Sequence, residues 1–352
     1  MKSTTVGIDL AKNVFSVCVM SDDGQVFQRR ELKRDSLSEF LIQLPAGTFV
    51  AMEACSSSHY WGRLCLRHDL VPRLMAAQFV KPFRKSVAIK NDRQDAEAIA
   101  TAARQGNMRF VAVKTVDQQV RLSWHRVREG YKRDALAVTN RIRGLLAEFG
   151  VAINPSRISL SRTLVQLDKL NLPIELVQLI RQQQAYWRQI EEQIADCDAR
   201  IQNHANQDER CLRVRTLSGV GAITADAVVA TIGNAVEFKN GRQCAAWLGL
   251  TPRQFGTGGK VHLGPISCRG DAYLRTLLIQ GARSSLRRAQ ATPSEKMTPE
   301  QQWILQLAAR LPFGKVLVAI ANKHIRQIWA MLARGETYDS HAWLKHPMVQ
   351  RG

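Results

Sequence analysis

The hydrophobic positions in the first 110 residues fall into short apolar runs separated by longer amphipathic stretches. The apolar runs have the length and composition of strands, and they cover residues 4–9, 14–20, 25–27, 48–53 and 71–75. The amphipathic stretches have helical spacing, and they cover residues 36–44, 57–68 and 92–105. An Asp-Gly pair at residues 23–24 joins the second and third runs as in a hairpin. The pattern predicts three antiparallel strands, followed by strands that alternate with helices.

The pattern becomes helical from about residue 115 to residue 205. Breaks fall at Asn154-Pro155 and at residues 171–173. Residues 175–204 predict one long helix, and its irregular apolar spacing fits either a coiled coil or a helix packed within one bundle.

A further domain is expected from about residue 210. Residues 217–225 predict either the turn of a helix-hairpin-helix element or a plain helix start that contains glycine. A basic helix is expected over residues 272–289. We therefore expect three domains, at residues 1–115, 116–208 and 209–352.

Four acidic residues stand at informative places in the first domain. Asp9 and Glu53 each end a predicted strand, and Asp92 and Asp95 lie one helical turn apart at the start of a predicted helix. Taken singly, these acids have ordinary explanations. Asp9 could open a turn, Asp92 could cap the helix, and Asp95 could be an acid in the first turn that the helix dipole favours. Taken together, their order is that of the two-metal site in RNase H-like α/β folds.

The chemistry of such a site explains the choice of acids. Mg²⁺ binds oxygen ligands and needs only one or two carboxylates per ion. Two ions about 3.5–4 Å apart stabilise both the attacking and the leaving oxygen of a phosphodiester. Without cations, clustered carboxylates would repel one another. The ordered set therefore favours Mg²⁺ at Asp9, Glu53, Asp92 and Asp95.

The charge of the chain indicates a polyanionic partner. The 352 residues include 50 Lys and Arg against 30 Asp and Glu, a formal net charge of +20 with a pI near 10.2. Basic residues that neutralise phosphates release counterions and so drive binding to nucleic acid; the alternative is a charged surface that only confers solubility. No apolar run reaches the roughly 18 residues of a membrane span, and no signal peptide is evident. The seven scattered cysteines form no C-x-x-C pair, which favours reduced thiols in a bacterial cytoplasm without disulfides or zinc.

Residues 255–260 are expected to form a glycine-rich loop that can approach a ligand closely. Arg253 and Lys260 supply positive charge there, and Thr257 and Ser267 supply hydroxyls. A hydroxyl attacks a phosphodiester covalently if its proton is removed and the phosphate charge is neutralised. Composition alone favours the simpler interpretation, in which Thr257 hydrogen-bonds a phosphate or caps a turn.

Two sets of motifs resemble a known family. Residues 7–12, 52–54 and 90–96 are similar to the N-terminal domain of the DEDD insertion-sequence transposases. Residues 248–253, 258–260 and 267–275 are similar to the C-terminal transposase domain of the same proteins. This family is related to the Piv DNA invertase and includes the bridge-RNA-guided recombinases. The motifs occur in the family's order and span most of the chain.

The resemblance implies a RuvC-like N-terminal domain, a helical or coiled-coil middle and a mainly α C-terminal transposase domain, assembled as a homo-oligomer, either dimer or tetramer. It implies Mg²⁺ on the four acids and strand exchange through a covalent hydroxyl–DNA intermediate. It also implies a structured noncoding guide RNA that pairs with donor and target DNA, so that base pairing reads the sequence. The position of the family's serine nucleophile holds Thr257 here, and Ser267 is the second candidate. Four basic residues are expected to contact nucleic acid: Arg253, Lys260, Arg269 and Arg275.

Three function classes follow from these features. The first is a DNA recombinase that acts through a covalent intermediate. The second is a RuvC-like nuclease that cuts with metal-activated water and forms no covalent intermediate. The third is a nucleic-acid-binding protein whose acids are structural. A trapped protein–DNA adduct separates the first class from the other two.

Overall fold

The computed structural model describes residues 4–84, 92–257 and 260–339. For Asp92, Arg93, Thr257 and Lys260 it describes the backbone alone. The chain divides into two compact units, Met1–Val116 and Asp117–Gly352, and each is described by itself below. The division into three domains stays a prediction.

The first unit contains a six-stranded mixed sheet in the order β3-β2-β1-β4-β5-β6. Strands β1, β2 and β3 are antiparallel, β4 and β5 run parallel to β1, and β6 is antiparallel to β5. The five predicted strands are therefore confirmed, whereas the two-residue β6 is too short to leave an apolar pattern. The strands are β1 Thr5–Asp9, β2 Val14–Met20, β3 Val26–Lys33, β4 Phe49–Glu53, β5 Val71–Met75 and β6 Phe110–Val111.

Helices cover both faces of this sheet. Helices α1 (Arg34–Ile42) and α2 (Ser58–Arg67) pack on one face, where Leu37 and Trp61 join a core of alternating strand residues. Helix α4 (Asp92–Ala103) covers the other face, after the short α3 (Ala77–Val80) and a 3₁₀ turn at Lys81–Phe83. The alternation of faces along each strand thus produces three layers.

Three long or medium helices begin the second unit: α5 Val116–Ala147, α6 Arg157–Val165 and α7 Ile174–Gln207. One buried cluster joins all three, including Ile142 of α5, Leu160 of α6 and Ile180 of α7. The predicted long helix over residues 175–204 is confirmed, and its apolar side packs within the chain. Coiled-coil pairing with a second copy stays a prediction.

The rest of the second unit forms one helical core with a β-hairpin attached. The turn between α8 and α9 contains Gly219 with φ +79°, and a Cβ there would lie 2.2 Å from the Gly281 carbonyl oxygen. Gly221 is the N-cap of α9, so the structure fits both the helix-hairpin-helix element and the plain helix start that contains glycine, and both stay predictions. The elements are α8 Glu209–Val214, α9 Ala222–Ile232, α10 Gly241–Trp247, β7 Pro252–Thr257, β8 Lys260–Ile266, α11 Ala272–Ala291, α12 Pro299–Arg310 and α13 Phe313–Ala333.

The expectation of a loop over residues 255–260 is wrong. Residues 255–257 pair with residues 260–262 as the end of the β7–β8 hairpin, with Thr257 opposite Lys260. Phe255, Thr257 and Val261 are residues that favour strands, and cross-strand pairing outweighs the glycines that suggested a loop. Gly258 and Gly259 lie outside the described residues.

The fold bears on two expectations from the sequence, one about membrane-spanning segments and one about the state of the cysteines. Within the part of the chain that the structure describes, no helix is long and apolar enough to cross a membrane. The seven cysteines, all of them among the described residues, are thiols rather than disulfides, and five of them are buried.

Candidate active site

Two of the four predicted acids lie side by side at one edge of the sheet. Strands β1 and β4 are neighbouring and parallel, with Gly7 opposite Ala51 and Ile8 opposite Met52. Asp9 and Glu53 end these two strands. Because side chains alternate along a strand, Asp9 shares a face with Gly7, and Glu53 shares one with Ala51. That face is the one that α4 covers.

Helix α4 brings the third acid to the same edge. A Cβ on Gly7 would lie 2.3 Å from the Ala96 carbonyl oxygen and 2.7 Å from the Ala100 backbone nitrogen. Only glycine therefore lets α4 lie directly on β1. Asp95, the neighbour of Ala96, is consequently buried with 7% of its surface exposed. Asp92 begins the same helix, and its side chain lies outside the described residues.

An arginine that the sequence analysis missed links two of these acids. Arg84 Nη2 lies 3.3 Å from Glu53 Oε1, and Arg84 Nε lies 3.0 Å from Asp95 Oδ1. The guanidinium thus lies between two carboxylates that the sequence assigned to a metal. The only signal in the sequence was a basic residue shortly before the helix that carries Asp95, and many basic residues in this chain fit that description.

The three acids share one electrostatic environment. Burial raises the pKa of Glu53, the charge of Arg84 opposes that rise, and the charge of Asp95 adds to it. Burial also raises the pKa of the Cys55 thiol, and the negative charges of Glu53 and Asp9 raise it further. Carboxylates from β1, β4 and α4 therefore create a negative field at this edge, which favours a cation.

The residues present fit a divalent cation with a partly hydrated shell. Among the described residues, no group of three or more His, Cys, Asp or Glu side chains could hold a metal ion by itself. The site instead offers hard carboxylate oxygens, and Arg84 already occupies it as a cation. Mg²⁺ suits such a site because it keeps several waters and needs one or two carboxylates. Asp9, Glu53 and Asp95, with Asp92 at the start of α4, are the residues that could hold it.

The two candidate nucleophiles lie at opposite ends of strand β8. Thr257 pairs with Lys260 at the far end of the hairpin, whereas Ser267 follows the last residue of β8. At about 3.4 Å per residue, the strand separates them by roughly 20 Å. The Ser267 hydroxyl accepts a long hydrogen bond, 3.5 Å, from the Arg269 backbone N–H. Ser267 is thus tied to the base of the hairpin, and the backbones of the two residues are too far apart for both residues to serve one phosphate.

The basic residues of this region have different surroundings. Arg253 and Arg269 are exposed, and Arg253 Nη2 donates to the Ser267 carbonyl oxygen at 3.4 Å. Arg275 is half-buried, and its Nη1 donates to the carbonyl oxygens of Leu248 and Arg269 at 3.1 and 2.8 Å. The structure therefore gives Arg275 a bracing role beside its predicted contact with nucleic acid. The side chain of Lys260 lies outside the described residues.

Close backbone contact explains why the C-terminal motifs contain glycine. Gly249 has φ +74°, and a Cβ there would lie 2.4 Å from the Arg269 backbone nitrogen. Gly270 has φ +71°, and a Cβ there would lie 2.1 Å from the Trp247 carbonyl oxygen. The turn after α10 and the turn before α11 thus pack directly on each other, and they hold both ends of the hairpin at its base.

A buried polar network in the second unit also escaped the sequence analysis. Asp226 is fully buried, and its carboxylate contacts Arg121 at 2.6 Å and His125 Nε2 at 2.8 Å. The other ring nitrogen of His125 lies 3.0 Å from the Tyr273 hydroxyl, and Arg121 also donates to Asp208 at 2.8 Å. The network fixes α5 to α9 and to the start of α11, next to the motif at residues 267–275.

Comparisons with known proteins agree with the motifs. A family model for DEDD transposases of the IS110 group, described as "Transposase", matches residues 6–150. A second model, described as "Transposase IS116/IS110/IS902 family", matches residues 211–297. The first range contains the four predicted acids, and the second contains Thr257 and Ser267.

The chain is also similar to several bacterial proteins over nearly its whole length. It is 43% identical to a probable family 20 transposase of Pseudomonas aeruginosa, over 96% of this chain and 99% of that protein. It is 36% identical to the transposase for insertion sequence element IS1111A of Coxiella burnetii, over 95% and 90%. A pilin gene-inverting protein of Moraxella bovis is 23% identical over 80% and 83%. The chain therefore belongs to the DEDD IS110/IS116 family of transposases, which are DNA recombinase enzymes.

Proposed function

We propose that this transposase is a site-specific recombinase of a mobile element, with an RNase H-like, RuvC-like catalytic domain. The observation that carries the proposal is the convergence of Asp9, Glu53 and Asp95 at one sheet edge. The strand order β3-β2-β1-β4-β5 is the order that RNase H-like folds use to collect such acids. Strand ends and a helix that crosses them are suited to hold carboxylates in fixed positions.

The proposed cofactor is Mg²⁺, held by Asp9, Glu53, Asp92 and Asp95. When bound, it would neutralise charge on the reacting phosphate and activate an attacking oxygen. The contribution of the protein is to hold the carboxylates in place: β1 and β4 fix Asp9 and Glu53, and Gly7 sets the depth at which α4 presents Asp95. Hard oxygen ligands and a negative field support a hard divalent cation.

The proposed nucleophile is the hydroxyl of Thr257, with Ser267 second. In the reaction the threonine oxygen bonds to phosphorus, and the bond from phosphorus to one sugar oxygen of the DNA breaks. The hydroxyl proton leaves, and the released sugar oxygen takes up a proton. A new DNA strand then reverses these events and frees the threonine. Arg253, Lys260 and Arg269 would neutralise the phosphate during both steps.

The backbone positions of the two residues support the preference for Thr257. Thr257 stands at the far end of a two-stranded hairpin, next to Gly258 and Gly259 in sequence. Ser267 instead lies half-buried at the base, where its hydroxyl faces the backbone of Arg269. A residue at the end of a hairpin reaches a DNA backbone with less movement of the protein than one at its base.

The proposed partners are donor DNA, target DNA and a structured noncoding guide RNA. The +20 net charge supports a large polyanionic partner. The guide RNA, the dimer or tetramer and the bacterial cytoplasm rest on the family resemblance. In this scheme base pairing selects the DNA sites, while the protein contacts backbone and shape.

A recombination assay with the DNA termini of the element, the RNA and the purified protein tests this proposal. Asp95→Asn keeps the size of the side chain and removes its charge, so it should abolish recombination, as should EDTA. Asp196→Asn, on an exposed helix turn beside Arg200, is the matched control and should recombine normally. Full activity of Asp95→Asn, or of the wild type in EDTA, would refute the metal site. Metal-dependent cutting without a covalent adduct would favour the nuclease alternative.

A further inference from the structure

Arg84 bridges two of the proposed metal ligands and is well placed to do so. The side chains of Glu53 and Asp95 are 16% and 10% exposed, and that of Arg84 is 34% exposed. The three charges are therefore only partly screened by water. A guanidinium carries donors in a planar fork that can contact two carboxylates at once.

The segment before Arg84 is anchored to the helix that carries Asp95. Val80 is fully buried in a cluster with Ala98 and Ile99 of α4, and Phe83 packs against the same cluster. Arg84 is the first residue after this anchored segment. Its position beside Asp95 therefore follows from the packing of α3 and the 3₁₀ turn on α4.

Arg84 and a divalent cation would use the same carboxylates. Glu53 and Asp95 repel each other when both are ionised, and one positive charge between them relieves that repulsion. A divalent cation brings twice the charge and binds the oxygens directly. The carboxylate oxygens that contact Arg84 at 3.3 and 3.0 Å are not free to bind a metal in the same geometry.

We propose that Arg84 is a built-in counter-ion of the acidic site that competes with the divalent cation for Glu53 and Asp95. It stabilises the metal-free site and lowers the apparent metal affinity, because only molecules with Arg84 displaced can bind. The inference rests on the metal site of the proposed function. It adds a residue that sets the affinity of that site for its metal.

The test measures Mn²⁺ binding to the metal-free full-length protein by isothermal titration calorimetry. Arg84→Gln removes the competing charge. If Arg84 contacts the carboxylates in about nine of every ten wild-type molecules, this variant should bind Mn²⁺ about tenfold more tightly than the wild type. Without Mn²⁺, the same variant should melt at a lower temperature than the wild type, and saturating Mn²⁺ should remove that difference. An affinity equal to or weaker than that of the wild type would overturn the inference.

Two further variants make the experiment specific. Arg29 of β3 contacts Glu97 of α4, the helix that also carries Asp95, at 2.6 Å. Arg29→Gln therefore removes a comparable ion pair and should leave the Mn²⁺ affinity unchanged. Arg84→Lys keeps the charge but loses the planar fork, so its affinity should lie between those of the wild type and Arg84→Gln. If Arg84→Gln does not fold, Arg84→Lys decides, and an affinity no tighter than the wild type would overturn the inference.

Asp95→Asn separates this inference from the proposed function. If the wild type binds no Mn²⁺, or if Asp95→Asn binds it as tightly as the wild type, the metal site itself is wrong. If binding depends on Asp95 and is indifferent to Arg84, the metal site stands and only the role of Arg84 is wrong.

Discussion

Gly7 on β1 lies so close to Ala96 on α4 that a methyl group at Gly7 would stand 2.3 Å from the Ala96 carbonyl oxygen. This contact sets the distance between the strand that ends in Asp9 and the helix that carries Asp95. The geometry of the acidic site therefore depends on the absence of one side chain.

Gly7→Ala should destabilise the first unit by about 1–3 kcal/mol, because the added methyl group forces α4 away from β1. It should also reduce recombination strongly, since Asp95 moves with the helix. Urea unfolding and the recombination assay measure the two effects. Gly106→Ala is the control, because nothing lies within 4 Å of a Cβ at that position. A wild-type unfolding midpoint for Gly7→Ala would contradict the described contact.

Glu53→Gln should separate stability from activity. Burial, only partly offset by Arg84, raises the pKa of Glu53 above its ordinary value of 4.5. A raised pKa contributes stability that is present below pH 4.5 and is lost as the pH rises through the folded-state value. The metal-free variant should therefore gain stability relative to the wild type between pH 4 and pH 7, while recombination is abolished. Thermal melts across this range check the trend, and a variant that loses stability relative to wild type as the pH rises would contradict it.

Asp208 should make the second unit sensitive to acid. Burial disfavours its ionised form, but hydrogen bonds from Arg210 and Arg121 outweigh burial and hold the pKa of Asp208 well below its ordinary value of 3.8. A depressed pKa contributes stability that is present above pH 3.8 and is lost as the pH falls through the folded-state value. Asp208→Asn should therefore cost about 2 kcal/mol at pH 6, with the difference shrinking at pH 3.

The matched control for Asp208 is the exposed pair of Asp196 and Arg200, 3.0 Å apart with both side chains about half exposed. Asp196→Asn should change the unfolding free energy by less than about 0.5 kcal/mol at either pH. A constant difference between Asp208→Asn and wild type from pH 6 to pH 3 would show that the network does not act through the charge of Asp208.

The purified protein should carry RNA, and the RNA should supply its sequence specificity. DNA binding by protein freed of RNA should be weakly selective and should fall by a factor of about a thousand between about 50 and 200 mM salt, as expected for several phosphate contacts. Filter binding at several salt concentrations measures the slope. Sequence-specific recombination by nuclease-treated protein without added RNA would refute the RNA requirement.

The sequence predicted the first unit well because its signals are local. Short apolar runs located β1 and β4, and the ends of those strands located Asp9 and Glu53. Arg84 could not be found in this way, because its contacts with Glu53 and Asp95 arise only when β4, α3 and α4 pack together. A basic residue in a chain with 50 Lys and Arg carries no information until its partners are known.

The second unit shows the same limit more clearly. Arg121, Asp226 and Tyr273 are far apart in sequence and look like ordinary surface residues of helices, yet they meet in one buried network. The end of the β7–β8 hairpin was missed because three of the six residues 255–260 are glycines, whereas its stability comes from cross-strand pairing. The helix-hairpin-helix alternative could be stated from the sequence, but the close contact of Gly219 with Gly281 required the fold.

The most direct test of the account is the capture of a covalent protein–DNA adduct with a nicked or otherwise trapped DNA substrate. Thr257→Val keeps the shape of the side chain and removes the oxygen, so it should bind DNA and form no adduct, whereas Thr257→Ser should form it. Ser267→Ala should form the adduct as the wild type does. Loss of the adduct in Ser267→Ala with retention in Thr257→Val would move the nucleophile to Ser267. Adduct formation by both variants, or its absence from an active wild-type protein, would contradict the proposed mechanism.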